Sequence, residues 1–376
     1  MHEVKIYNTI SEINKVCWDE LTEDNIFMCY DWLRMSEETT INLPLPYYIT
    51  INSNSKIIGA SVCYLENENS HSKSIDNLLL GRFGNFKLNK KISFSPAFIC
   101  GPYKGYGTHF LFYTGLTDYE INSLYEQLIN EIEKISSREK VSVCFSNVMN
   151  NEIILKQILL RRRYLKTRSR PLSFVSIKWS SFNEYRIYLK NKLDQKINYE
   201  INRNKKLGVT IKQLDNTEND WQRLYNLLEM NHKKYNDYLF SLKPDYFIKM
   251  KSLFGDDAHI YTAVKDKDII GVCAEFIKDN MACISSVGVD HEKSCNDFTY
   301  FNIAFYQPIK NAIESGIKKI YCGNGLYKTK AKRGFSIEDT FLLYKPGSRF
   351  NYLVKIWFFI HNFWMTRKLS FIKKYN

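Results

Sequence analysis

The chain has no Cys-x-x-Cys pair, no His-Glu-x-x-His motif, no Gly-x-Ser-x-Gly elbow and no apolar run of membrane-spanning length. Each absence removes a class of protein. The nine cysteines stand singly, mostly inside apolar stretches (Cys63, Cys100, Cys144, Cys273, Cys283, Cys322). That pattern argues against a zinc site or a disulfide framework and suits a reducing compartment, so no metal is expected. The opening MHEVKIYNTI has no basic stretch leading into an apolar one, so no secretory leader is expected and the protein is read as cytoplasmic. No run approaches the roughly 18–20 apolar residues of a bilayer span. The seven histidines are scattered, with no convincing Ser/His/Asp set. Covalent nucleophilic hydrolysis and metalloprotease chemistry are therefore not indicated.

What is present is apolar, aromatic and basic. Of the 376 residues, 44% are hydrophobic and 15% aromatic, enough for two domains with real cores. The net charge of +13 is unevenly placed. Residues 153–178 hold eight Lys/Arg and no acid, residues 179–212 eight against three, and residues 345–376 seven against none. Cations gathered in the middle and at the tail favour a polyanionic partner.

The chain also repeats itself about 210 residues on. YYITINSNSKIIGASVCYL (47–65) and IYTAVKDKDIIGVCAEFI (260–277) are both period-2 apolar runs around a polar turn, followed by Ile-Ile-Gly, which is a β-hairpin signal. Each is followed by an amphipathic helix (119–135; 299–315), a short strand (141–146; 318–323), then a basic turn with a last strand (161–177; 330–344). Four elements in the same order point to a duplicated α/β domain. A long insertion, 66–117, holds a strand-like stretch (92–100) and the loop Gly101–Gly107.

Residues 181–208 read as one basic helix, with capping-box spacing at Ser181 and Glu184, an apolar stripe of Leu189, Leu193, Ile197 and Ile201, and Gly208 as its stop. A strand (209–214), helices at 218–235 and 244–253, the second hairpin and a strand at 281–289 follow, and Pro308 is expected to kink the helix 299–315. The expected organisation is a first domain 1–178, a connecting helix 179–208, a second domain 209–346 and a tail helix 347–376. That tail is apolar almost all round from Tyr352 to Met365 and basic beyond. Docking on the second domain is expected, with attachment to an anionic membrane surface through 349–376 as the alternative, Trp357, Phe359 and Trp364 then sitting at headgroup level.

This order of elements resembles the GNAT acyltransferase fold, and its duplication resembles the Fem-type double-GNAT proteins. Residues 299–344 are similar to the region where such proteins have a helix, a strand ending in glycine and a Lys-x-x-Lys/Arg-Gly-Phe turn, here Lys330–Phe335. The stretches 190–211 and 224–250 are similar to the basic helix before the second domain and to the helices after it. The resemblance implies two tandem mixed, twisted sheets flanked by helices. It also implies an N-acyltransferase with an acyl-CoA or an aminoacyl-tRNA as co-substrate and no permanently bound cofactor. The acceptor amine would belong to a cell-wall precursor, a surface sugar or a secondary metabolite, and no DNA partner is implied. The alternative is a non-catalytic protein of this fold that binds tRNA, other polyanions or a membrane surface. One departure stands out: where GNAT enzymes carry a glycine-rich pyrophosphate loop, residues 291–298 contain no glycine. In the first unit, Pro102–Gly107 has the glycine spacing without the usual Arg or Gln.

Acyl transfer to an amine needs a base, an oxyanion stabiliser and alignment. By resemblance the turn Lys328, Lys330, Lys332 and Arg333 lies beside the cleft, where one lysine neutralises donor phosphates or a developing oxyanion. Asp290 and His291 end the strand at which the fold splays, and either suits a general base, Asp290 equally a turn cap. Tyr327, with Tyr300 and Tyr306, suits positioning of an acceptor, or simply core. Arg203, Lys205 and Lys206 suit phosphates of tRNA or of a nucleotide-linked acceptor, or a solvated face. Glu275, alone in an apolar strand, is expected to face solvent.

Overall fold

In a computed structural model of the chain, every residue is described except 1, 24, 67–73, 81–93, 194–195, 215–219, 236–241, 348–351 and 374–376. Parts of the expected strand 92–100, the helix 218–235, the basic helix and the tail therefore lie outside the described residues. The chain divides into two units. The first comprises Met1–Pro171 with Glu338–Phe371, and the second Leu172–Ile337 with Ile372–Asn376.

Strands of the first unit are β1 (Glu3–Tyr7), β2 (Leu45–Ser53), β3 (Lys56–Leu65), β4 (Ala97–Cys100), β5 (Phe110–Phe112), β6 (Ser142–Met149) and β7 (Leu165–Arg168). The second unit holds β8 (Leu172–Ser176), β9 (Thr210–Gln213), β10 (Ala258–Lys265), β11 (Asp268–Lys278), β12 (Met281–Val289), β13 (Lys319–Tyr321) and β14 (Ser336–Glu338). The chain then returns to the first unit with β15 (Thr340–Lys345). The first sheet runs β1-β2-β3-β4-β6-β15-β7, with β5 beside β3, and the second β14-β8-β13-β12-β11-β10-β9.

The duplication holds residue by residue at the hairpins. Asn54 and Ser55, like Asp266 and Lys267, take φ between 48° and 70°, the left-handed pair of a two-residue turn whose twist matches the flanking strands. Each hairpin then carries a bulge at the second isoleucine: Ile51 pairs with Gly59 and Asn52 with Ile57, while Ala263 pairs with Gly271 and Val264 with Ile269. Each sheet also contains one parallel pair, β4 with β6 and β12 with β13, joined by a helix in the second unit as parallel strands require. β12 pairs with β13 only over Met281–Cys283, though it continues to Val289. Its far half therefore has no strand neighbour on that side among the described residues.

The cores follow from the periodicities. Helix Asp118–Glu139, opened by a Thr117/Glu120 capping box, buries Leu124, Leu128, Ile129, Ile132 and Ile135 against the first sheet. In the second unit the helix after β12 starts as Thr299–Phe301, widens into a π-helical turn over Asn302–Tyr306, and continues as Gln307–Ser315. The widened turn sits just ahead of Pro308, which has no N–H for the carbonyl four residues back. The expected kink thus takes the form of a π-bulge.

Three expectations are corrected. The basic helix is two helices, Phe182–Leu193 and Ile197–Lys206, with Lys196 outside helical geometry between them. The break turns Ile197, Glu200 and Asn204 inward together, two of them polar residues that an amphipathic pattern leaves outside. The last strand of each half does not stay in its own half: β8 pairs with β13 in the second sheet, and β15 pairs with β6 and β7 in the first. In both cases the basic turn is followed by two short strands, where the sequence pattern showed one. The tail helix, Tyr352–Lys373, belongs to the first unit as far as Phe371, burying Val354 and Phe358 beside Ile99, Cys144 and Tyr344.

Gly288 marks the closest approach of helix Trp221–Tyr235 to β12, since a Cβ there would lie 2.5 Å from the Leu227 carbonyl. Gly288→Ala is expected to lower unfolding stability by about 1–3 kcal/mol in urea titrations, whereas Gly208→Ala meets no atom within 4 Å and costs only its left-handed backbone strain.

Candidate functional site in the second unit

Asp290 follows β12 and is buried. Its Oδ1 accepts the backbone N–H groups of Glu292 and Lys293, each at 3.2 Å, and its Oδ2 accepts Arg223 Nη2 at 3.0 Å. Arg223 also donates through Nε to the Ile269 carbonyl at 2.8 Å. Burial works to raise the carboxyl pKa, but the backbone N–H of Lys293 and the Arg223 guanidinium outweigh it and hold the group below the ordinary carboxylate range. Asp290 is thus an ionised turn cap and a weak base.

His291 is half-buried, with Nε2 3.1 Å from Asn231 Oδ1. Asn231 donates its Nδ2 to the Val287 carbonyl, so its oxygen faces the imidazole and the ring proton is assigned to Nε2. Burial first, then the Lys234 ammonium, lowers the His291 pKa. The ring is neutral at pH 7 with a lone pair on Nδ1, the state a general base requires.

The start of the following helix is occupied by the protein itself. Asp297, almost fully buried, accepts the Thr299 N–H at 2.8 Å. Asn204 donates to the Asp297 carbonyl at 2.9 Å and Thr299 Oγ1 at 3.1 Å, and Arg203 Nε donates to the Asn296 carbonyl at 2.9 Å. Carboxylates fill the place where a pyrophosphate meets free N–H groups in a glycine-rich loop. Arg203, expected to hold phosphate, clamps this loop instead.

Beneath it lies a buried ion pair. Glu200 Oε2 accepts Arg333 Nη2 at 2.7 Å and the Tyr306 hydroxyl, and Arg333 Nε approaches that hydroxyl at 3.1 Å. The guanidinium carbon stands 3.8 Å from the Phe301 ring centroid, and Nη1 donates to the Thr329 carbonyl. Burial drives the Tyr306 pKa up, with the Glu200 carboxylate adding to it against Arg333. Lys330 is buried too, its Nζ donating to the carbonyls of Cys322 and Gly323. Lys330 and Arg333 therefore hold the Lys330–Phe335 turn in place, while Lys328 and Lys332 are exposed and Tyr327 half-exposed.

Tyr306 also lines a cavity of about 600 Å³ bounded by the helices Phe182–Leu193 and Ile197–Lys206, by β9 and by the π-helical turn. Arg186, Lys205 and Lys310 line it with Asn202, Gln307 and Phe182, and no carboxylate belongs to its described lining. Lys206 is exposed and outside this lining. Of the expected phosphate ligands, the structure puts Lys205 in a cationic cavity and Arg203 and Arg333 in structural bonds. Sequence reasoning passed over Glu200, although it is the one acid among the cations of 196–206, and over Arg186 and Lys310, whose role depends on distant elements meeting.

Glu275 is corrected as well. It is buried, not solvent-facing, and accepts the Tyr261 hydroxyl at 2.5 Å with His259 Nδ1 3.3 Å away. In the first unit the loop Gly101–Gly107 is packed: a Cβ on Gly105 would lie 2.6 Å from Phe27 Cβ, and the Tyr103 and Tyr106 rings meet Tyr64 and Phe27.

Two units, each with a bulged hairpin, a parallel central pair and a mixed sheet under helices, define a tandem GNAT fold. More particularly, the chain belongs to the FemAB-like family, described as peptidoglycan biosynthesis/recognition, whose model matches residues 9–358. A crystal structure of the C-terminal domain of a putative lysylphosphatidylglycerol synthetase from Agrobacterium fabrum is similar, with TM-score 0.56 at 11% identity over 90% of this chain and 94% of that one. FemX has TM-score 0.56 at 11% identity over 91% and 96%, respectively. A tandem GNAT protein from the clavulanic acid biosynthesis pathway has 0.52 at 10% over 93% and 100%. At such identities the likeness is one of fold. No curated protein matches the chain by sequence.

Arg333→Met removes the guanidinium that balances the buried Glu200 carboxylate and is expected to cost about 3–5 kcal/mol in urea unfolding, with much of the loss recovered in Arg333→Met/Glu200→Leu. Asp290, with its depressed pKa, contributes stability above the unfolded carboxylate value that is lost as pH falls through the folded one. As pH falls below the ordinary carboxylate value of about 3.8, the wild type is therefore expected to lose more stability than Asp290→Asn in acid titrations followed by circular dichroism.

Proposed function

We propose that this protein is a cytoplasmic N-acyltransferase that moves an aminoacyl group from an aminoacyl-tRNA to the amine of a cell-wall precursor, with the second unit as the chemical half. The observation that carries the donor assignment is the pairing of a filled helix start with an open cationic cavity. Asp290 and Asp297 already hold the N–H groups of 292, 293 and 299. A second anion there would meet carboxylates, which disfavours a coenzyme A pyrophosphate. The cavity at Arg186, Lys205 and Lys310 has no acid in its described lining, the nearest counter-charge on Lys310 being the exposed Glu314 at 3.9 Å, and the exposed Lys206, Lys328 and Lys332 extend the positive surface. Neutral His291 takes the proton from the attacking amine and returns it to the ribose oxygen of the tRNA, which leaves as the ester bond breaks and the amide forms, while backbone N–H groups of 284–289 that lack a strand partner face the carbonyl as its oxygen gains charge. Tyr327 positions the acceptor. No DNA partner belongs to this reading. The family's peptidoglycan description and the similarity to FemX support a cell-wall acceptor.

Binding of charged tRNA across a salt series tests this, beside thermal unfolding with acetyl-CoA and longer acyl-CoAs. Salt-dependent tRNA binding is expected, with the log–log salt slope reduced by about 2 in Lys205→Ala/Lys310→Ala, and no thermal shift from any acyl-CoA. A clear acyl-dependent shift, about 2.7 kcal/mol at a hundredfold excess over Kd, with no tRNA binding, overturns the donor assignment in favour of acyl-CoA.

A further inference from the structure

The tail helix Tyr352–Lys373 has two apolar faces, and only one of them is used. Along the inner face Val354, Phe358 and Leu369 are buried. The Phe358 ring stands 5.5 Å from that of Tyr344 and 5.9 Å from that of Phe94. Polar bonds pin the same face: Trp357 Nε1 donates to the Leu79 carbonyl at 3.0 Å, His361 Nδ1 lies 2.9 Å from Thr167 Oγ1, and Asn362 Oδ1 accepts the Arg168 N–H at 3.2 Å. At 100° per residue, Ile356, Phe359, Ile360, Phe363 and Trp364 fall on the opposite side. Phe359 is 77% exposed and Trp364 70%. Two adjacent helical turns thus present large aromatic rings to water over about 13 Å, an arrangement that marks an interaction surface.

The charge around this face selects the partner. Lys355, Arg367 and Lys368 are exposed on the helix, and residues 345–376 contain seven Lys/Arg and no acid. A second copy of the chain would bring the same cations against these. An anionic surface instead gains from every one of them, at about 1 kcal/mol per cation near a charged bilayer. No helix is long and apolar enough to cross a membrane among the described residues, and the inner face is held to the protein, so the helix lies along a surface and does not enter it. We propose that the outer face of this helix is a membrane-binding element: Phe359, Phe363 and Trp364 insert at headgroup depth of an anionic phospholipid bilayer, with Arg367 on the lipid phosphates. This inference does not depend on the donor or acceptor assigned above.

Flotation of the full chain with vesicles of pure phosphatidylcholine, and of equal parts phosphatidylcholine and phosphatidylglycerol, tests it. Recovery with the anionic vesicles only is expected, falling at high salt. Phe359→Ser/Trp364→Ser is expected to reduce partitioning at least about tenfold while keeping the wild-type melting temperature, because both rings are exposed. No recovery with the anionic vesicles, or equal recovery of wild type and variant, overturns the proposal. So does a concentration-dependent dimer that the same double variant dissolves, which would show the face covered by a second copy.

Discussion

The second unit depends on one buried ion pair, Glu200 with Arg333. Taking a carboxylate and a guanidinium out of water is repaid only when geometry and further hydrogen bonds are complete. Here Tyr306, the Thr329 carbonyl and the Phe301 ring complete them. The pair thereby fixes three elements that sequence separates widely: the helix Ile197–Lys206, the π-helical turn and the closing turn Lys330–Phe335. Tyr306 belongs both to this network and to the cavity wall, so the cavity inherits the rigidity of the buried charges. Lys205 is carried on the helix whose Glu200 is anchored, five residues away, and its exposed ammonium is positioned by a buried carboxylate.

The crossing of the chain between sheets imposes a second constraint. Val175 of β8 lies in the core of the second unit, and Phe341 and Leu343 of β15 in the core of the first. The second sheet is built from one contiguous stretch, β8 to β14, whereas the first is incomplete until β15 returns to it. The first sheet waits for residues nearly two hundred positions beyond β6 and β7, and such non-local pairing closes late and costs loop entropy. The tail helix, following β15 directly, is thereby delivered to the first unit, where it covers the side of the sheet formed by Ile99, Cys144 and Tyr344.

Charge then separates the roles of residues that look alike. Arg203, Arg333 and Lys330 spend their donors on protein carbonyls and a carboxylate. Arg186, Lys205 and Lys310 line an open cavity, and Lys332 and Lys328 face water. Asp290 and His291 are adjacent in the chain, yet one is locked as an anion by Arg223 and backbone N–H groups while the other is held neutral by burial and Lys234. A single pair of residues at a strand end thus takes opposite charge states, one anionic and one neutral, through environment alone.

Much of this was legible in the chain itself. Period-2 runs, the polar turns and the Ile-Ile-Gly repeat mark both hairpins, because turn chemistry and side-chain alternation are local properties, while the bulge at the second isoleucine appears only in the strand pairing. The amphipathic helices 118–139 and 299–315, and the Lys330–Phe335 turn, were likewise readable. Other features required the fold: the exchange of β8 and β15, the burial of Glu200, Glu275 and Lys330, and the docking of the tail on the first unit. A residue's period shows which face it shares with its neighbours, but not which distant element will meet that face. Whether a charge ends in water, in a cavity or in a buried pair is decided by that meeting, since only there is the partner that offsets its desolvation supplied.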